Sequence, residues 1–346
     1  MYFGPNKIEI DDVPEPDPAP GTVKIKVAFN GICGTDLHEY YAGPIFVPTE
    51  AHPLTGQQLP LTMGHEFSGT ITALGAGVTG WAEGDRVAVE PIYRCGRCGP
   101  CRAGNYNVCQ QIGFHGLMSD GDMAEYTVVP VNMLHRLPDT VSLRLGALVE
   151  PMSVAYHAAT LGDVHPGDTA MVFGAGPIGI GLWFALRGKG LGEIFVVEPS
   201  PARRAAIEAL GASTLDPVAI DVAGFIAEQT GGHGADAVFD AAGVAPAVGT
   251  ALACVGSRKP MVSVAIYEKP VETPLLNLVL NESRIQGSLC YTSVDFEAVI
   301  ALMAEGVYDT TGWVATIGLD DVLEEGFDAL HAGRKMKVLV DPSGQS

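Results

Sequence analysis

The chain has 346 residues, of which 47% are hydrophobic and 17% are charged, and its formal net charge at pH 7 is −20. A soluble globular chain of this length is expected to form two domains with sizeable cores. The strong negative charge repels phosphate groups, so neither nucleic acid nor an anionic membrane is an expected partner. We find no run of about 20 apolar residues that could cross a bilayer, so no membrane association is predicted.

The cysteines indicate the cellular compartment. The chain has seven, and four of them cluster within fifteen residues. Such clustering is typical of metal ligands in a reducing compartment rather than of disulfides. The N-terminal residues MYFGPNKIEIDD contain no basic region followed by an apolar segment, so no signal peptide is predicted. We therefore expect a cytoplasmic protein.

The first part of the chain has the pattern of a mostly β domain. Alternating or β-branched runs predict strands at 22–30, 67–74, 86–90 and 123–129, and turn-forming residues separate them. Residues 31–66 are rich in loop-forming residues.

A local C-x2-C-x2-C-x7-C pattern lies between the last two of these strands. Its members are Cys95, Cys98, Cys101 and Cys109, and the intervening glycines and proline permit tight turns. Four thiolates can close a tetrahedral shell around one zinc ion and leave no position open, which predicts a structural site. An iron–sulfur centre uses a similar spacing and is the alternative.

A second group of candidate metal ligands is scattered along the chain. Cys33 lies in GICGTDLH, His65 and Glu66 lie in MGHEFSG, and Glu150 lies in LVEPMS. Taken singly, Cys33 is interpreted as a buried small residue, and His65 as either a core residue or a ligand. Together, their sulfur, nitrogen and oxygen donors suit a zinc ion with one open position, which could bind an alcohol oxygen and lower its pKa.

Two further polar residues follow Cys33 closely. Thr35 could accept the proton of an alcohol, and His38 could pass that proton to solvent, because histidine titrates near neutral pH. The alternatives are a threonine that caps the following turn and a histidine on the surface.

The pattern changes near residue 142. Apolar residues with helical spacing occupy 144–161, and from residue 169 onward strand-like and helix-like runs alternate. This alternation predicts a doubly wound parallel sheet with helices on both faces.

The first strand–helix–strand unit of this second part contains GxGxxG, the pattern of a dinucleotide site. The residues expected to form that site are Gly174, Gly176, Pro177, Ile178, Gly179, Glu198 and Arg203. The three glycines would permit, in order, a tight turn, a close approach of the backbone to a pyrophosphate, and close packing of the helix. The helix N-terminus would offer free N–H groups to the phosphates.

The nature of the dinucleotide depends on the end of the second strand. Glu198 is placed to accept hydrogen bonds from an adenosine ribose, and its charge would repel a 2′-phosphate, so NAD is expected rather than NADP. Arg203 and Arg204 weaken this expectation, because they could pair with a 2′-phosphate.

These motifs, in this order, resemble the zinc-dependent medium-chain dehydrogenase/reductase family, which includes alcohol, sorbitol and threonine dehydrogenases. The resemblance covers nearly the whole chain: GICGTDLHEYYAG, GHEFSG, the four-cysteine lobe, LVEPMSVAYHA and VFGAGPIG. It implies an α/β fold in which a GroES-like, mostly β catalytic domain is split around a Rossmann domain, with the active site in the cleft. The expected domains are 1–145 with a zinc lobe at 91–112, 146–283, and a return to the catalytic domain at 284–346.

The resemblance also implies cofactors and ligands. Each chain would bind NAD and two zinc ions. Cys33, His65 and one or both of Glu66 and Glu150 would hold the catalytic zinc, and the four clustered cysteines would hold the structural one. Members of the family assemble through the edges of the Rossmann sheet, so a homodimer or homotetramer is implied.

The substrate expectation rests on residues 42–69. This insertion is similar to the branch that interconverts (R,R)-2,3-butanediol and acetoin and also reduces diacetyl. The expected activity is therefore an NAD-dependent secondary alcohol dehydrogenase whose substrate is a small diol or hydroxyketone. The alternatives are a polyol dehydrogenase of the sorbitol or xylitol type, an L-threonine 3-dehydrogenase, and a non-catalytic binding protein on the same fold.

Overall fold

The computed structural model describes residues 1–267 and 269–344. Its strands are β1 (Tyr2–Gly4), β2 (Lys7–Ile8), β3 (Thr22–Gly31), β4 (Glu66–Leu74), β5 (Arg86–Val89), β6 (Ile92–Tyr93), β7 (Gly113–Phe114), β8 (Tyr126–Pro130), β9 (Leu134–Arg136), β10 (Thr169–Phe173), β11 (Glu193–Val197), β12 (Ser213–Leu215), β13 (Ala237–Asp240), β14 (Pro260–Ser263), β15 (Arg284–Gly287), β16 (Val314–Gly318) and β17 (Lys337–Asp341).

The helices alternate with strands chiefly in the middle of the chain. They are α1 (Gly34–Ala42), α2 (Gly99–Arg102), α3 (Leu143–Gly146), α4 (Val149–Leu161), α5 (Pro177–Gly188), α6 (Pro201–Ala209), α7 (Val222–Gln229), α8 (Ala245–Cys254), α9 (Leu275–Asn281), α10 (Ser293–Ala304) and α11 (Ala329–His331). Helix α1 lies in a stretch whose composition predicted loops. No helix in the described part of the chain is both long enough and apolar enough to span a bilayer.

The chain divides into two compact units. Among the described residues, the first contains 1–150, 292–304 and 313–344, and the second contains 151–267, 269–291 and 305–312. These limits differ from the bounds expected from the sequence, which ended the second domain at residue 283. The reason is that β15 pairs with β14 as a further strand of the second unit's sheet, so the chain has not yet left that unit.

The second unit is built on a six-stranded parallel sheet in the order β12-β11-β10-β13-β14-β15. Strand β10 is buried along its whole length, as expected for an inner parallel strand made of apolar residues. The order reverses between β10 and β13, so the carboxyl ends of these two strands flank the switch point where doubly wound sheets bind their ligands. The predicted doubly wound sheet is confirmed.

The first unit is built on a mixed sheet in the order β16-β17-β3-β4-β5-β9, and β8 pairs with the other end of β3. Strand β3 alternates buried and more exposed residues over much of its length, which is the pattern of a strand with one face on the core. At its C-terminal end, Gly31 pairs with Glu66 of β4 and with Leu339 of β17. Three distant segments of the chain therefore meet where β3 ends.

A polar network around the buried His135 ties α10 to this unit. His135 of β9 contacts Glu90, from Nε2 to Oε2 at 3.2 Å, and Glu297 of α10, from Nδ1 to Oε1 at 2.6 Å. Glu90 also binds Arg94 at 3.1 Å, and the ring of Phe296 packs on His135. Burial lowers the pKa of His135, but the two carboxylates raise it further, so the pKa lies above its usual value.

The His135 network predicts a pH-dependent stability. Because the folded-state pKa is raised, the stabilisation is fully present below about pH 6.5 and is lost as the pH rises through the folded-state value. We expect His135→Gln to lower the free energy of unfolding by about 1–2 kcal/mol near pH 6 and by less near pH 9, measured by urea denaturation. The exposed His165, changed to Gln, is the control. If His135→Gln lowered the free energy of unfolding equally at both pH values, the prediction would be contradicted.

Candidate metal and cofactor sites

Cys33, His65 and Glu66 come together at the end of β3. Their candidate ligand atoms all lie within 4.8 Å of one another. The order of the elements explains this placement. Cys33 lies between β3 and α1. His65 directly precedes β4 and Glu66 is its first residue, and β4 pairs with β3. The Cys33 amide donates to Asp36 Oδ2 at 2.9 Å, which fixes the first turn of α1 and with it the position of the thiol.

His65 lies in a buried, negatively charged environment. Its Nδ1 is 3.5 Å from Asp36 Oδ1, and among the described residues neither atom has a closer hydrogen-bond partner. Burial lowers the pKa of His65, but Asp36 and Cys33 raise it well above its usual value. The surroundings thus favour a positive charge at this point. A metal bound at Nε2, with Nδ1 directed at a carboxylate, is the usual arrangement of a histidine ligand.

Lys337, which sequence analysis missed, lies against this cluster. Its Nζ forms a buried ion pair with Glu66 Oε2 and donates to the Ile32 carbonyl at 2.9 Å. Burial lowers the pKa of Lys337, but Glu66 and Cys33 raise it above its usual value. The only hint in the sequence is a charged residue at the start of an otherwise apolar strand, which is a weak signal because strand ends are often exposed.

The other predicted site residues lie near this cluster with different degrees of contact. Glu150 is buried in the first turn of α4, and its charge acts on both His65 and Lys337. It is not part of the group whose ligand atoms meet within 4.8 Å. Thr35 is close, since the Cys33 thiol donates to its Oγ1 at 3.7 Å. His38 follows one turn later on α1 and is partly exposed.

The clustered cysteines form a second candidate metal site. Their sulfur atoms lie within 4.8 Å of one another: Cys95, Cys98, Cys101 and Cys109. The separations are 4.0 Å from Cys95 to Cys101 and 3.9 Å from Cys98 to Cys109. Because Zn–S bonds of about 2.3 Å at tetrahedral angles place sulfur atoms about 3.8 Å apart, the arrangement fits one zinc ion.

Backbone N–H groups favour the thiolate form of Cys98, whereas burial raises the pKa of Cys101 to about 12. The N–H of Gln111 donates to Cys109 Sγ at 3.4 Å. The N–H groups of Gln110 and Cys101 lower the pKa of Cys98 to about 6. Metal binding requires deprotonated thiols, and the backbone around Cys98 favours that form.

The glycine-rich turn of the second unit lies between β10 and α5. Gly174 has φ of 99°, a conformation that favours glycine. Gly176 is the N-cap of α5, and Pro177 occupies its first turn, where a missing N–H costs nothing. An added Cβ at Gly179 would overlap the carbonyl oxygen of Gly174. The third glycine is therefore required mainly by the turn itself, whereas the sequence-based argument assigned it to packing of the helix on the sheet.

Glu198 follows β11 and is bound to the same turn. Its Oε2 accepts from the Ala175 N–H and its Oε1 from the Ser200 N–H, both at 2.9 Å. The carboxylate therefore joins the glycine-rich turn to the loop that begins α6. This contact was not expected from the sequence, which predicted only hydrogen bonds to a ribose.

The two arginines near Glu198 differ in their contacts and in their exposure to solvent. Arg204 donates to the Glu198 carbonyl at 2.7 Å and pairs with Asp216 at 2.9 Å. Arg203 is exposed. Arg204 is thus engaged within the chain, and Arg203 is the arginine with its side chain at the surface.

Asp240 at the end of β13 holds the turn that follows this strand, a role that sequence analysis missed. Its Oδ1 accepts from the Ala242 N–H at 3.0 Å and from the Gly243 N–H at 3.3 Å, and its Oδ2 accepts from the Tyr267 hydroxyl at 2.6 Å. Both strands at the switch point thus end in turns that a buried carboxylate holds.

Comparison with known proteins identifies the architecture. Residues 19–139 match the family described as alcohol dehydrogenase GroES-like domain, and residues 177–305 match the family described as zinc-binding dehydrogenase. The chain is 43% identical over 341 residues to the (R,R)-butanediol dehydrogenase of Bacillus subtilis strain 168, and the match covers 97% of each chain.

Solved structures of similar proteins have the same architecture as this chain. The crystal structure of 2R,3R-butanediol dehydrogenase from Bacillus subtilis superposes with a TM-score of 0.93 at 42% identity, covering 99% of this chain and 98% of that chain. An alcohol dehydrogenase from Escherichia coli CFT073 in complex with NADH superposes with a TM-score of 0.86 at 27% identity, covering 98% and 97%. The predicted combination of a GroES-like domain and a Rossmann domain is confirmed.

The glycine-rich turn yields a prediction with an internal control. Gly179→Ala should lower the free energy of unfolding by about 1–3 kcal/mol, because its Cβ overlaps backbone. Gly176→Ala should leave stability within about 0.5 kcal/mol, since its Cβ would contact nothing within 4 Å among the described residues. It should nevertheless weaken NADH binding about tenfold, because the added methyl group fills the space that a pyrophosphate needs. Urea denaturation and NADH fluorescence titration measure both effects. Unchanged NADH binding by Gly176→Ala would contradict the assignment of this turn.

Proposed function

Because the chain belongs to the zinc-binding alcohol dehydrogenase family and is an oxidoreductase, we propose that it interconverts a vicinal diol and a hydroxyketone with a nicotinamide cofactor. The preferred pair is (R,R)-2,3-butanediol and acetoin, and diacetyl reduction is the related activity. The observation that carries this proposal is the buried cluster of Cys33, His65 and Glu66, in a chain related over nearly its full length to an enzyme named for that diol.

Each chain binds two zinc ions in this proposal. The catalytic zinc is held by Cys33 and His65, together with Glu66 or Glu150, and the structural zinc is held by the four cysteines of the lobe. When bound, the catalytic zinc supplies a Lewis acid for the reacting hydroxyl, and the nicotinamide accepts the hydride. The mixed sulfur, nitrogen and oxygen donors and the negative surroundings of His65 support the first site, and the sulfur separations support the second.

The proton of the substrate hydroxyl leaves through the residues of α1. Thr35 would accept it and His38 would pass it to solvent, and the cofactor, when bound, would supply a ribose hydroxyl between them. The support is positional, since Thr35 contacts the Cys33 thiol and His38 follows one turn later on the same helix, with part of its side chain accessible.

The preferred coenzyme is NAD. Glu198 lies at the end of β11, where a 2′-phosphate would meet its charge. Arg204, whose charge could otherwise neutralise such a phosphate, is held by Asp216 and by backbone carbonyls. Arg203 lies in the first turn of α6 and is exposed.

The protein is proposed to act as a homodimer or homotetramer in the cytoplasm. Strand β15 is the last strand of the six-stranded sheet, and the adjacent α9 exposes four large apolar side chains: Leu275, Leu276, Val279 and Leu280. An exposed strand edge beside an apolar helix is typical of a surface that a second copy covers. A monomeric mass in solution would contradict the assembly.

The substrate assignment is tested by NADH formation at alkaline pH. The panel contains (R,R)-2,3-butanediol, its meso and (S,S) isomers, sorbitol and L-threonine, assayed before and after treatment with a chelator. We expect fast turnover of the (R,R) isomer, loss of activity on chelation and recovery on addition of zinc. Turnover of sorbitol or L-threonine without turnover of the diol would overturn the substrate assignment but keep the zinc-dependent hydride transfer. No turnover and no zinc at Cys33 would favour a non-catalytic binding protein.

Two cysteine variants separate the metal sites in that experiment. Cys33→Ser should lower kcat at least about 1000-fold with little change in stability, because it removes a ligand of the catalytic zinc. Cys98→Ser should instead lower stability or assembly, because it opens the structural site. Retained activity in Cys33→Ser would contradict the catalytic zinc.

The coenzyme assignment is tested with NAD and NADP under the same conditions. We expect kcat/KM to favour NAD at least about 100-fold, since the Glu198 carboxylate repels the 2′-phosphate. Arg203→Ala should leave this preference unchanged. A preference for NADP that Arg203→Ala abolishes would show instead that Arg203 binds the 2′-phosphate.

A further inference from the structure

Tyr267 links the ends of two neighbouring strands of the parallel sheet. It follows β14, and its hydroxyl donates to Asp240 Oδ2 at 2.6 Å and lies 2.8 Å from the Ser263 hydroxyl. Asp240 is the last residue of β13 and is fully buried. A hydrogen bond to an ionised carboxylate is stronger than one between neutral groups, so Tyr267 holds the segment after β14 (residues 264–267) against the end of β13.

The same aspartate also holds the turn after β13. Its other carboxylate oxygen accepts from the Ala242 and Gly243 N–H groups. The Asp240 backbone carbonyl accepts from the Val264 N–H at 3.0 Å and from the Ala265 N–H at 3.2 Å. One residue therefore joins the turn after β13 to the segment 264–267.

The turns at the ends of these strands pack against one another. An added Cβ at Gly174 would lie 3.2 Å from backbone atoms of Ala241 and Ala242, and an added Cβ at Gly243 would lie 3.0 Å from the Ile266 carbonyl oxygen. Gly243 also has φ of 68°, a conformation that favours glycine. The glycine-rich turn thus packs on the turn after β13, and that turn packs on the segment 264–267.

The strand order indicates which part of a dinucleotide each turn would contact. Strand β11 lies on one side of β10, whereas β13 and β14 lie on the other side. Glu198, after β11, is the expected partner of the adenosine ribose, and the glycine-rich turn after β10 is the expected site of the pyrophosphate. A dinucleotide that crosses the switch point therefore places its nicotinamide half at the ends of β13 and β14.

We propose that Tyr267 is a positioning residue for the nicotinamide half of the coenzyme, because its hydrogen bond to Asp240 fixes the segment 264–267 against which that half binds. The inference rests on the proposed coenzyme site and deepens it, since it assigns the two halves of the dinucleotide to different residues. Burial and the hydrogen bond to Asp240 raise the pKa of Tyr267 to about 12. The hydroxyl therefore remains a donor at the alkaline pH of the activity assay.

The test compares two ligands of the full-length protein. NADH contains both halves of the dinucleotide, whereas ADP contains only the adenosine and the pyrophosphate. We expect Tyr267→Phe to raise the Kd of NADH about tenfold and to leave the Kd of ADP within about twofold, because only the nicotinamide half must then order the released segment. Fluorescence titration measures NADH binding, and competition with NADH measures ADP binding. An unchanged Kd of NADH, or an equal rise for both ligands, would overturn the role of Tyr267.

Two control variants show whether the effect is specific. Gly176→Ala places a methyl group where the pyrophosphate is expected, so it should weaken NADH and ADP by the same factor. Tyr41→Phe removes a tyrosine–aspartate hydrogen bond of the first unit, from Tyr41 to Asp328 at 2.7 Å, and should change neither Kd.

Asp240→Asn is the conservative variant of the partner. The amide oxygen of asparagine still accepts from the turn after β13, and its NH2 group can donate to the Tyr267 hydroxyl, so the Kd of NADH should stay within about threefold of the wild type. A rise as large as that caused by Tyr267→Phe would contradict the hydrogen bond as the cause.

Hydrogen–deuterium exchange tests the inference in the wild type, without any substitution that could affect folding. Saturating NADH should slow the exchange of the backbone N–H groups of residues 264–267, and saturating ADP should not. Equal protection by the two ligands would show that the segment responds to the adenosine half, and it would overturn the proposal.

The outcomes separate this inference from the coenzyme assignment. If the wild type binds NADH and Gly176→Ala weakens that binding, but Tyr267→Phe does not, the role of Tyr267 alone is overturned. A wild type that binds neither NADH nor ADP overturns the proposed coenzyme site, and the role of Tyr267 falls with it.

Discussion

The pairing of three strands at Gly31 is the constraint on which the candidate catalytic site depends. Strand β3 ends there between β4 and β17, so that the backbone places Glu66 and Lys337 on either side of the segment that leads to Cys33. Each of these residues comes from a different part of the chain. A glycine is required because a larger residue would displace the Glu66 carboxylate. The geometry of the site is thus a property of a rigid sheet, which is the kind of support that a metal centre needs.

The two candidate metal sites achieve charge balance in different ways. The cysteine lobe offers four sulfur atoms from one short segment, and backbone N–H groups favour the thiolate form of Cys98. The cluster at Cys33 combines two acidic residues with the thiolate, and a buried lysine offsets one of them. In the second arrangement one carboxylate, Glu66, already has a buried partner within the chain. A closed structural site and an open catalytic site differ in whether protein ligands fill every position.

Whether the sequence could predict a feature depends on how far apart along the chain the residues that form it lie. The four cysteines lie close together, so their spacing alone indicated one metal site. The parallel sheet and the glycine-rich turn followed from local periodicity, and the comparisons confirm the fold and the enzyme class. The ion pair of Lys337 with Glu66 joins residues 271 positions apart, and nothing local marks it. Helix α1 was missed because residues 31–66 around it are rich in loop-forming residues. Its capping contact, from the Cys33 amide to Asp36, is visible only in three dimensions. Strand β15 lies beyond residue 283, where the second domain was expected to end, and its pairing with β14 is a tertiary property that the local sequence does not show.

A common feature of the two units concerns the glutamates that the motifs single out. Glu198 is bound by the Ala175 and Ser200 N–H groups, and Glu66 is bound by Lys337. In both cases a carboxylate that was expected to face a ligand is already held by the chain. Burial of a carboxylate is costly unless it is paired or hydrogen-bonded, so these internal partners allow the acidic residue to remain charged and in place before any ligand binds. The specificity of each site therefore depends on the partner of the glutamate as much as on the glutamate itself, and a substitution of the partner changes the site even where the motif is intact.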